Sequence, residues 1–330
     1  MSGSTKKDSF DLLNDLAVPE FEEMSRREIA NAINSALLEP LQTFESFDLS
    51  TVYLALEDDV EFLEVSTYRV YNSLLHLNKY KASGPDGLPN WLLKDFAELL
   101  VDPVTDILNA SFREQKLPNA WKLADISPLP KVKQVSDPKK ELRPISLTSS
   151  LSKIAQDFVV TDYIKPAVVK SIDPKQFGTI TGSSTVMALK SMLHKWLGDT
   201  DSRGSTIRVL LCDYRKAFDL IDHSLLVTKL KQLYIPRSII NWVVSFLTCR
   251  SQRVKLGQDC FSEWGVVPST VSETISKGEQ SNMQLAANQV QDWSKENLFQ
   301  LNCDKTKELV INYSRSNQEE FFPSVYIEGN

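Results

Sequence analysis

The sequence predicts an α+β fold for this chain of 330 residues. Several segments place apolar residues three and four positions apart, which is the spacing of an amphipathic helix. Other, shorter segments are rich in β-branched residues or alternate in polarity, which is typical of strands. A chain of this length can form one large domain or two modest ones, each with a sizeable core.

The N-terminal third is predicted to be mostly helical. In the first predicted helix, over residues 25–38, the apolar residues Ile29, Ile33 and Leu37 recur at helical spacing. The segment Ala82–Pro89 concentrates Gly, Pro and Asp, so we expect a tight turn there, shaped by Gly84 and Gly87. We predict helices over residues 25–38, 65–79, 90–100 and 104–115.

The middle of the chain adds strands. Residues 123–130 form an extended segment whose two prolines suit an edge strand. A polar loop over 131–141 separates it from a second strand over 142–147. Further helices are predicted over residues 149–169, 184–197, 224–233 and 237–248, and a further strand over 251–256.

The segment 207–223 is the most informative in the chain. Residues 207–211 form a short apolar run, which predicts a strand buried on both faces, and a helical turn is expected after it. Asp213 lies where this strand ends. A carboxylate in that position can hold a hard cation or cap the next helix, and the segment alone leaves both interpretations open.

Composition and charge narrow the class of protein. Apolar residues make up 42% and charged residues 24% of the chain, as in ordinary globular proteins. No run of about 18 apolar residues is present, so we expect no membrane span. The four cysteines are scattered, which predicts neither a zinc site nor a disulfide framework. A reducing compartment, cytoplasmic or nuclear, is therefore expected.

Charge is unevenly distributed along the chain. Residues 1–70 hold 15 acidic against 5 basic residues, so we predict an acidic, linker-like leader over residues 1–60. Basic residues cluster between Trp121 and Lys175 instead. Such a cluster can bind phosphates or can be a solvated surface, and composition alone does not choose between them.

Four motifs in a fixed order suggest a family. They are Lys81–Pro89 (KASGPDGLP), Leu142–Thr148 (LRPISLT), Gln176–Gly178 (QFG) and Asp213–His223 (DYRKAFDLIDH). Together they resemble the reverse transcriptase of non-LTR (LINE-type) retrotransposons, over roughly residues 65–313. The resemblance implies the fingers and palm of a right-hand polymerase that copies an RNA template from a DNA primer, using deoxynucleotides.

The resemblance also implies roles for individual residues. Asp213 would be the first catalytic carboxylate and a ligand of Mg²⁺, in a site where two such ions stabilise the attacking and leaving oxygens. Lys131 and Arg143 would grip the nucleotide triphosphate. Phe218 would lie beneath the nucleotide sugar. Lys305 or Lys307 would be a proton donor to pyrophosphate.

The sequence departs from the family between Ser269 and Thr270. Members of the family continue into a segment that bears paired aspartates, whereas this chain passes directly to a sequence resembling the family's next segment beyond those aspartates. We therefore predict an internally deleted domain over residues 61–330, with an incomplete palm sheet, helix-rich fingers and defective catalysis, since Asp213 would lack its partner carboxylates. The adjacent aspartates in Leu56–Val60 lie in the acidic leader and are more simply a solvated run.

Two other functions remain open. The chain could be a non-enzymatic remnant that binds nucleic acid through the basic stretch 121–175. It could instead be a domesticated protein-interaction module built on the acidic leader and the helices over 65–115. RNA template and DNA primer are the partners that the resemblance implies, and we expect their binding to this chain to be weak or absent.

Overall fold

The fold is known from a computed structural model, which describes residues 16–41, 62–200, 206–214, 221–257, 259–267, 282–303 and 305–312. The described residues form both helices and strands, in runs of one kind as well as singly, which agrees with the α+β prediction. The chain divides into two units. The first comprises residues 1–167 and 223–271, and the second comprises residues 168–222 and 272–330.

The first unit combines a helical bundle with a sheet. Its helices are α1 (Arg26–Leu38), α2 (Thr67–Leu75), α3 (Asn90–Asp95), α4 (Ala97–Glu114), α5 (Pro138–Glu141), α6 (Ser150–Val159), α7 (Lys165–Val169, which crosses into the second unit), α9 (His223–Gln232) and α10 (Arg237–Leu247). Its strands are β1 (Leu123–Pro130), β2 (Leu142–Thr148), β4 (Arg250–Leu256), β5 (Cys260–Phe261) and β6 (Gly265–Val267).

The second unit contains two helices and a short ladder. Its elements are α8 (Thr185–Thr200), β3 (Thr206–Leu211), α11 (Asn282–Glu296) and β7 (Lys307–Asn312). A π-helical turn over Val160–Ile164 joins α6 to α7, and short 3₁₀ turns occupy Pro19–Phe21, Glu39–Leu41 and Asn119–Lys122.

Two buried cores hold the first unit together. The larger core is formed by α2, α3, α4, α6, α9 and α10, around side chains such as Leu108 and Trp242. The smaller core lies between α1 and the sheet, where Ile33 packs with Ile126 and Val254. Helix α1 therefore covers one face of the sheet, although it lies in the predicted leader. The domain boundary at residue 60 stays a prediction.

The helix predictions are confirmed with small shifts of their ends. Ser25 is the N-cap of α1. Its hydroxyl accepts a hydrogen bond from the Glu28 amide, and the Glu28 carboxylate accepts one from the Ser25 amide. The break between the third and fourth helices lies at Phe96, earlier than predicted. Helix α4 instead runs through Pro103, where it lacks one amide donor but keeps packing through Val104 and Leu108.

The prediction of an edge strand over 123–130 is wrong. Strand β1 lies between β2, which is antiparallel to it, and β4, which is parallel to it. The ladder with β4 stops at Ile126, however, and both prolines lie beyond that point. Pro128 and Pro130 thus fall in the half of β1 that pairs only with β2, where a missing amide donor is tolerated.

The prediction that the strand over 207–211 is buried on both faces is also wrong. Within the described residues, β3 pairs with β7 alone. Leu211 is 48% exposed and Leu309 on β7 is 44% exposed. The apolar run indicated a strand correctly, but a two-stranded ladder leaves part of it uncovered.

Candidate functional site

The pairing of β3 with β7 fixes the backbone at Asp213. The ladder runs antiparallel and ends with Leu211 opposite Lys307. Beyond it the two chains meet again, since Tyr214 forms a bridge with Leu301 and the Asn302 amide donates to the Asp213 carbonyl at 2.7 Å. Asp213 therefore lies two residues past the end of the strand, as the sequence predicted, and its main chain is held by the segment that precedes β7.

The carboxylate of Asp213 is surrounded by donors. Asn302 Nδ2 donates to Oδ2 at 3.3 Å, and Lys305 Nζ lies 3.5 Å from the same oxygen. The Asp213 side chain is about half exposed and that of Lys305 more so. Such an ion pair at the surface contributes little stability. It does place two hydrogen-bond donors on the oxygen that was predicted to bind a metal.

Aromatic and apolar side chains pack beside Asp213. The ring of Tyr214 lies 6.1 Å from that of Trp293 and 5.4 Å from that of Phe299, measured between centroids. Leu301 and Cys212 belong to the same small core. Burial raises the pKa of the Cys212 thiol. The thiol next to Asp213 is therefore a packing group and not a ready nucleophile.

Among the residues that the structure describes, those at Asp213 do not fit a two-metal centre. A hard divalent cation takes oxygen ligands, and Mg²⁺ requires about six of them in octahedral geometry. The described groups that contact the Asp213 carboxylate are the Asn302 Nδ2 and the Lys305 ammonium, and nitrogens that carry donor hydrogens cannot serve as ligands. Across the part of the chain that the structure describes, no three His, Cys, Asp or Glu side chains gather as a metal site would require.

Lys131 and Arg143, the predicted triphosphate-binding residues, lie together on one hairpin. Arg143 is opposite Leu129 in the β1–β2 ladder, and the Lys131 amide extends the ladder by donating to the Glu141 carbonyl at 2.8 Å. Residues opposite one another share a face, and so do residues two apart on a strand. Both side chains are exposed and, with Leu129, lie on the same face of the hairpin.

The loop of this hairpin is closed by its own hydrogen bonds. The carboxylate of Glu141 accepts from the amides of Asp137 at 3.0 Å and Ser136 at 2.7 Å, and these bonds lower its pKa. Lys131 Nζ donates to the carbonyl of Lys140 at 2.6 Å, so the predicted phosphate-binding ammonium turns back onto its own loop. The roles of Lys131 and Arg143 stay predictions.

The remaining predicted site residues are dispersed. Lys305 contacts Asp213, whereas Lys307 is exposed on β7 opposite Leu211. The described residues do not include Phe218, the adjacent aspartates in Leu56–Val60, or the junction between Ser269 and Thr270. The structure thus brings Asp213 together with Lys305 in one unit, and Lys131 with Arg143 in the other.

Sequence reasoning did not identify Asn302 as part of this site. Its amide and side chain both contact Asp213, which lies 89 positions earlier. Asparagine in a polar segment carries no pattern that indicates such a contact. The bridge between Tyr214 and Leu301 brings it there, and that pairing depends on tertiary structure.

No helix among the described residues has the length and apolar character needed to cross a membrane.

Comparison with known proteins identifies the family. Residues 129–269 match the family described as reverse transcriptase (RNA-dependent DNA polymerase). Over 213 residues, the chain is 29% identical to a probable RNA-directed DNA polymerase from transposon X-element of Drosophila melanogaster, covering 64% of this chain and 23% of that protein. It is 27% identical over 209 residues to a probable RNA-directed DNA polymerase from transposon BS of the same organism, covering 63% and 23%.

A third relative agrees with these two. The RNA-directed DNA polymerase from mobile element jockey of Drosophila melanogaster is 28% identical over 193 residues, covering 58% of this chain and 21% of that protein. The matched part of the chain spans less than a quarter of the length of each of these relatives. The chain carries a reverse-transcriptase-like domain of non-LTR (LINE-type) retrotransposon origin.

Proposed function

We propose that this chain is a reverse-transcriptase-derived protein that no longer joins nucleotides. In this proposal the first unit corresponds to the fingers and part of the palm of a right-hand polymerase, and β3 and β7 are the remnant of the central palm sheet. The two Mg²⁺ ions of the ancestor would have been held at Asp213 and at paired aspartates that this chain lacks.

The surroundings of the Asp213 carboxylate carry the proposal. In a working two-metal site this oxygen would face a cation, and neighbouring carboxylates would complete the shell. Here it faces the amide of Asn302 and the ammonium of Lys305. A side chain that already accepts from two donors is suited to stabilising the Tyr214–Leu301 bridge, and Asp213 is proposed to have this structural role.

The extent of the family match is consistent with an internal deletion. The match ends at Ser269, which is the residue after which the sequence departs from the family pattern. Within the described residues, the strand that leads to Asp213 pairs with β7 alone, so the outer edges of both strands are not paired there. Loss of the intervening block explains both observations.

A primer-extension assay tests the proposal. The full chain is given an RNA template, a labelled DNA primer, deoxynucleotides and Mg²⁺, beside an intact reverse transcriptase of the family as positive control. We expect the unchanged chain to extend the primer no more than the Asp213→Asn variant does. A site with a single carboxylate should react several orders of magnitude more slowly than an intact two-metal site. Robust synthesis that Asp213→Asn abolishes would show that the proposal is wrong.

Binding of nucleic acid without catalysis is a second candidate, favoured by the shared exposed face of Lys131 and Arg143. The labelled primer-template of the same assay measures it by fluorescence anisotropy. Affinity that falls as salt rises, and that falls further for Arg143→Glu, supports this candidate. If binding is absent at low ionic strength, the basic stretch is a solvated surface.

A further inference from the structure

A cavity of about 780 Å³ opens in the first unit between α2 and α6. Its wall includes the end of α2, the loop after that helix, the first residue of α3, and the first two turns of α6. Cavities of roughly 300–1,000 Å³ are those that bind small molecules and cofactors. None of the residues assigned to catalysis or nucleotide binding by the family resemblance lines it.

Two lysines face this cavity from different elements. Lys153 comes from α6 and Lys81 from the loop after α2. Lys153 Nζ donates to the carbonyl of Thr148 at 3.1 Å, which fixes the position of its ammonium. Burial lowers the pKa of Lys153, the positive charge of Lys81 lowers it further, and the negative charge of Asp86 raises it in part. Two ammonium groups in a partly buried site repel one another, and an anion bound between them would offset this repulsion.

The acidic side chain on the wall does not cancel this positive character. Asp157 lies one turn after Lys153 on α6. Its charge also acts on Arg69, whose pKa is raised mainly by the hydrogen-bonded carboxylate of Asp162 and in part by Asp157. The negative charge of Asp157 therefore acts on a guanidinium as well, and Lys81 and Lys153 contribute two positive charges to the cavity wall.

The rest of the wall is suited to more than a bare anion. Leu77, Leu147 and Ile154 provide an apolar surface against which a ring or sugar can pack. Asn72 Nδ2 already donates to the Tyr68 carbonyl at 3.0 Å, and Asn78 Oδ1 accepts from the Tyr80 amide at 3.0 Å. The other atom of each amide, Asn72 Oδ1 and Asn78 Nδ2, can pair with a hydroxyl or with the edge of a base. The ligand that uses all of these groups has a compact anionic end and a body that is partly apolar and partly polar.

We propose that this cavity binds a nucleoside phosphate, with Lys81 and Lys153 on the phosphate and the amide and apolar wall on the nucleoside. The nucleotide is either free or the 5′-phosphorylated end of a nucleic-acid strand, since both present the same chemistry. The site uses none of the residues of the Asp213 centre, so it stands whether or not the chain joins nucleotides.

Calorimetric titration of the full chain tests the site with four probes. These are adenosine 5′-monophosphate, adenosine, and a hexaribonucleotide with and without a 5′-phosphate. We expect each phosphorylated probe that binds to do so at least about tenfold more tightly than its partner without phosphate, because the lysines contribute charge-assisted hydrogen bonds. Tighter binding of the monophosphate than of the hexamer assigns a free nucleotide, and the reverse order assigns a strand end.

Substitution of each lysine tests whether its ammonium binds the phosphate. Lys81→Gln and Lys153→Gln should each weaken binding of the phosphorylated probe by about tenfold. Lys81 is exposed, so its replacement leaves the core intact. Lys229→Gln is the matched control, because Lys229 on α9 is an exposed lysine of the same unit that lies outside both the cavity wall and the basic stretch 121–175. It should change the affinity by less than about twofold.

Three results would overturn the assignment. They are the absence of binding of both phosphorylated probes, equal affinity for probes with and without phosphate, and an affinity that neither cavity variant lowers more than Lys229→Gln does. Thermal unfolding of each variant is measured beside the titration, and Lys81→Gln decides the result if Lys153→Gln unfolds.

Discussion

At the scale of single residues, the two glycines of the turn after α2 have different functions. A Cβ on Gly84 would lie 2.6 Å from the Ser149 amide nitrogen and 2.6 Å from the Thr148 carbonyl carbon. These are backbone atoms, which cannot move aside as the end of a side chain can. Gly87 has open space around its Cα but a φ of +68°, which other residues rarely adopt. The predicted tight turn is confirmed, with the Gly87 amide donating to the Gly84 carbonyl at 3.0 Å.

This difference predicts two distinct mutational responses. Gly84→Ala should lower the free energy of unfolding by about 1–3 kcal/mol through overpacking. Gly87→Ala should lower it by about 1 kcal/mol through backbone strain. Asparagine tolerates positive φ, so Gly87→Asn should be milder than Gly87→Ala, whereas Gly84→Asn should be worse than Gly84→Ala. Urea unfolding followed by circular dichroism measures all four; the same rank order at both positions would contradict the assignment.

At the scale of elements, α1 belongs structurally to the sheet that it covers. Ile33 is fully buried against β1 and β4, and Gly265 on β6 allows the close approach of Leu38. An ion pair between Arg27 and Glu263 joins the helix to the segment between β5 and β6. These contacts tie a helix from the acidic N-terminal region to strands more than 200 positions later in the chain.

Replacing Ile33 tests whether α1 is needed for folding. Ile33→Ala should lower the free energy of unfolding by about 2–5 kcal/mol, because it removes a buried side chain and leaves a cavity beneath the helix. Ser35→Ala, an exposed position on the same helix, is the control and should change it by less than about 0.5 kcal/mol. If chemical denaturation shows equally small changes in the free energy of unfolding for Ile33→Ala and Ser35→Ala, the chain does not need α1 to fold.

The same scale shows which features could be predicted from the sequence. A local signal sufficed for α1, whose apolar residues recur at helical spacing and whose capping box lies in four consecutive residues. The family resemblance predicts that Lys131 and Arg143 act together, and one short loop joins them. The neighbours of β1 were not predictable, because β4 reaches it from about 125 positions away. The contact of Asn302 with Asp213 was missed for the same reason. The residues of a segment largely determine whether it forms a strand, whereas the order of the strands and their exposure depend on pairing with distant segments.

At the scale of the whole molecule, one exposed apolar stripe stands out. On α8, Leu189, Leu193 and Leu197 are 56%, 48% and 57% exposed, and Val186 continues the same face of the helix. Contiguous apolar surface of this kind promotes association in water. This stripe predicts a chain that is prone to self-association.

A single charge on that stripe should reduce the association. Leu193→Glu places a carboxylate in the middle of the apolar face without disturbing a buried contact, so dynamic light scattering should detect smaller species and a higher concentration threshold for aggregation. Lys195→Gln is the matched control, because it changes the net charge by the same amount at an exposed position of the same helix. If both variants improve solubility equally, net charge and not the α8 stripe governs association. If neither does, the stripe is covered in solution.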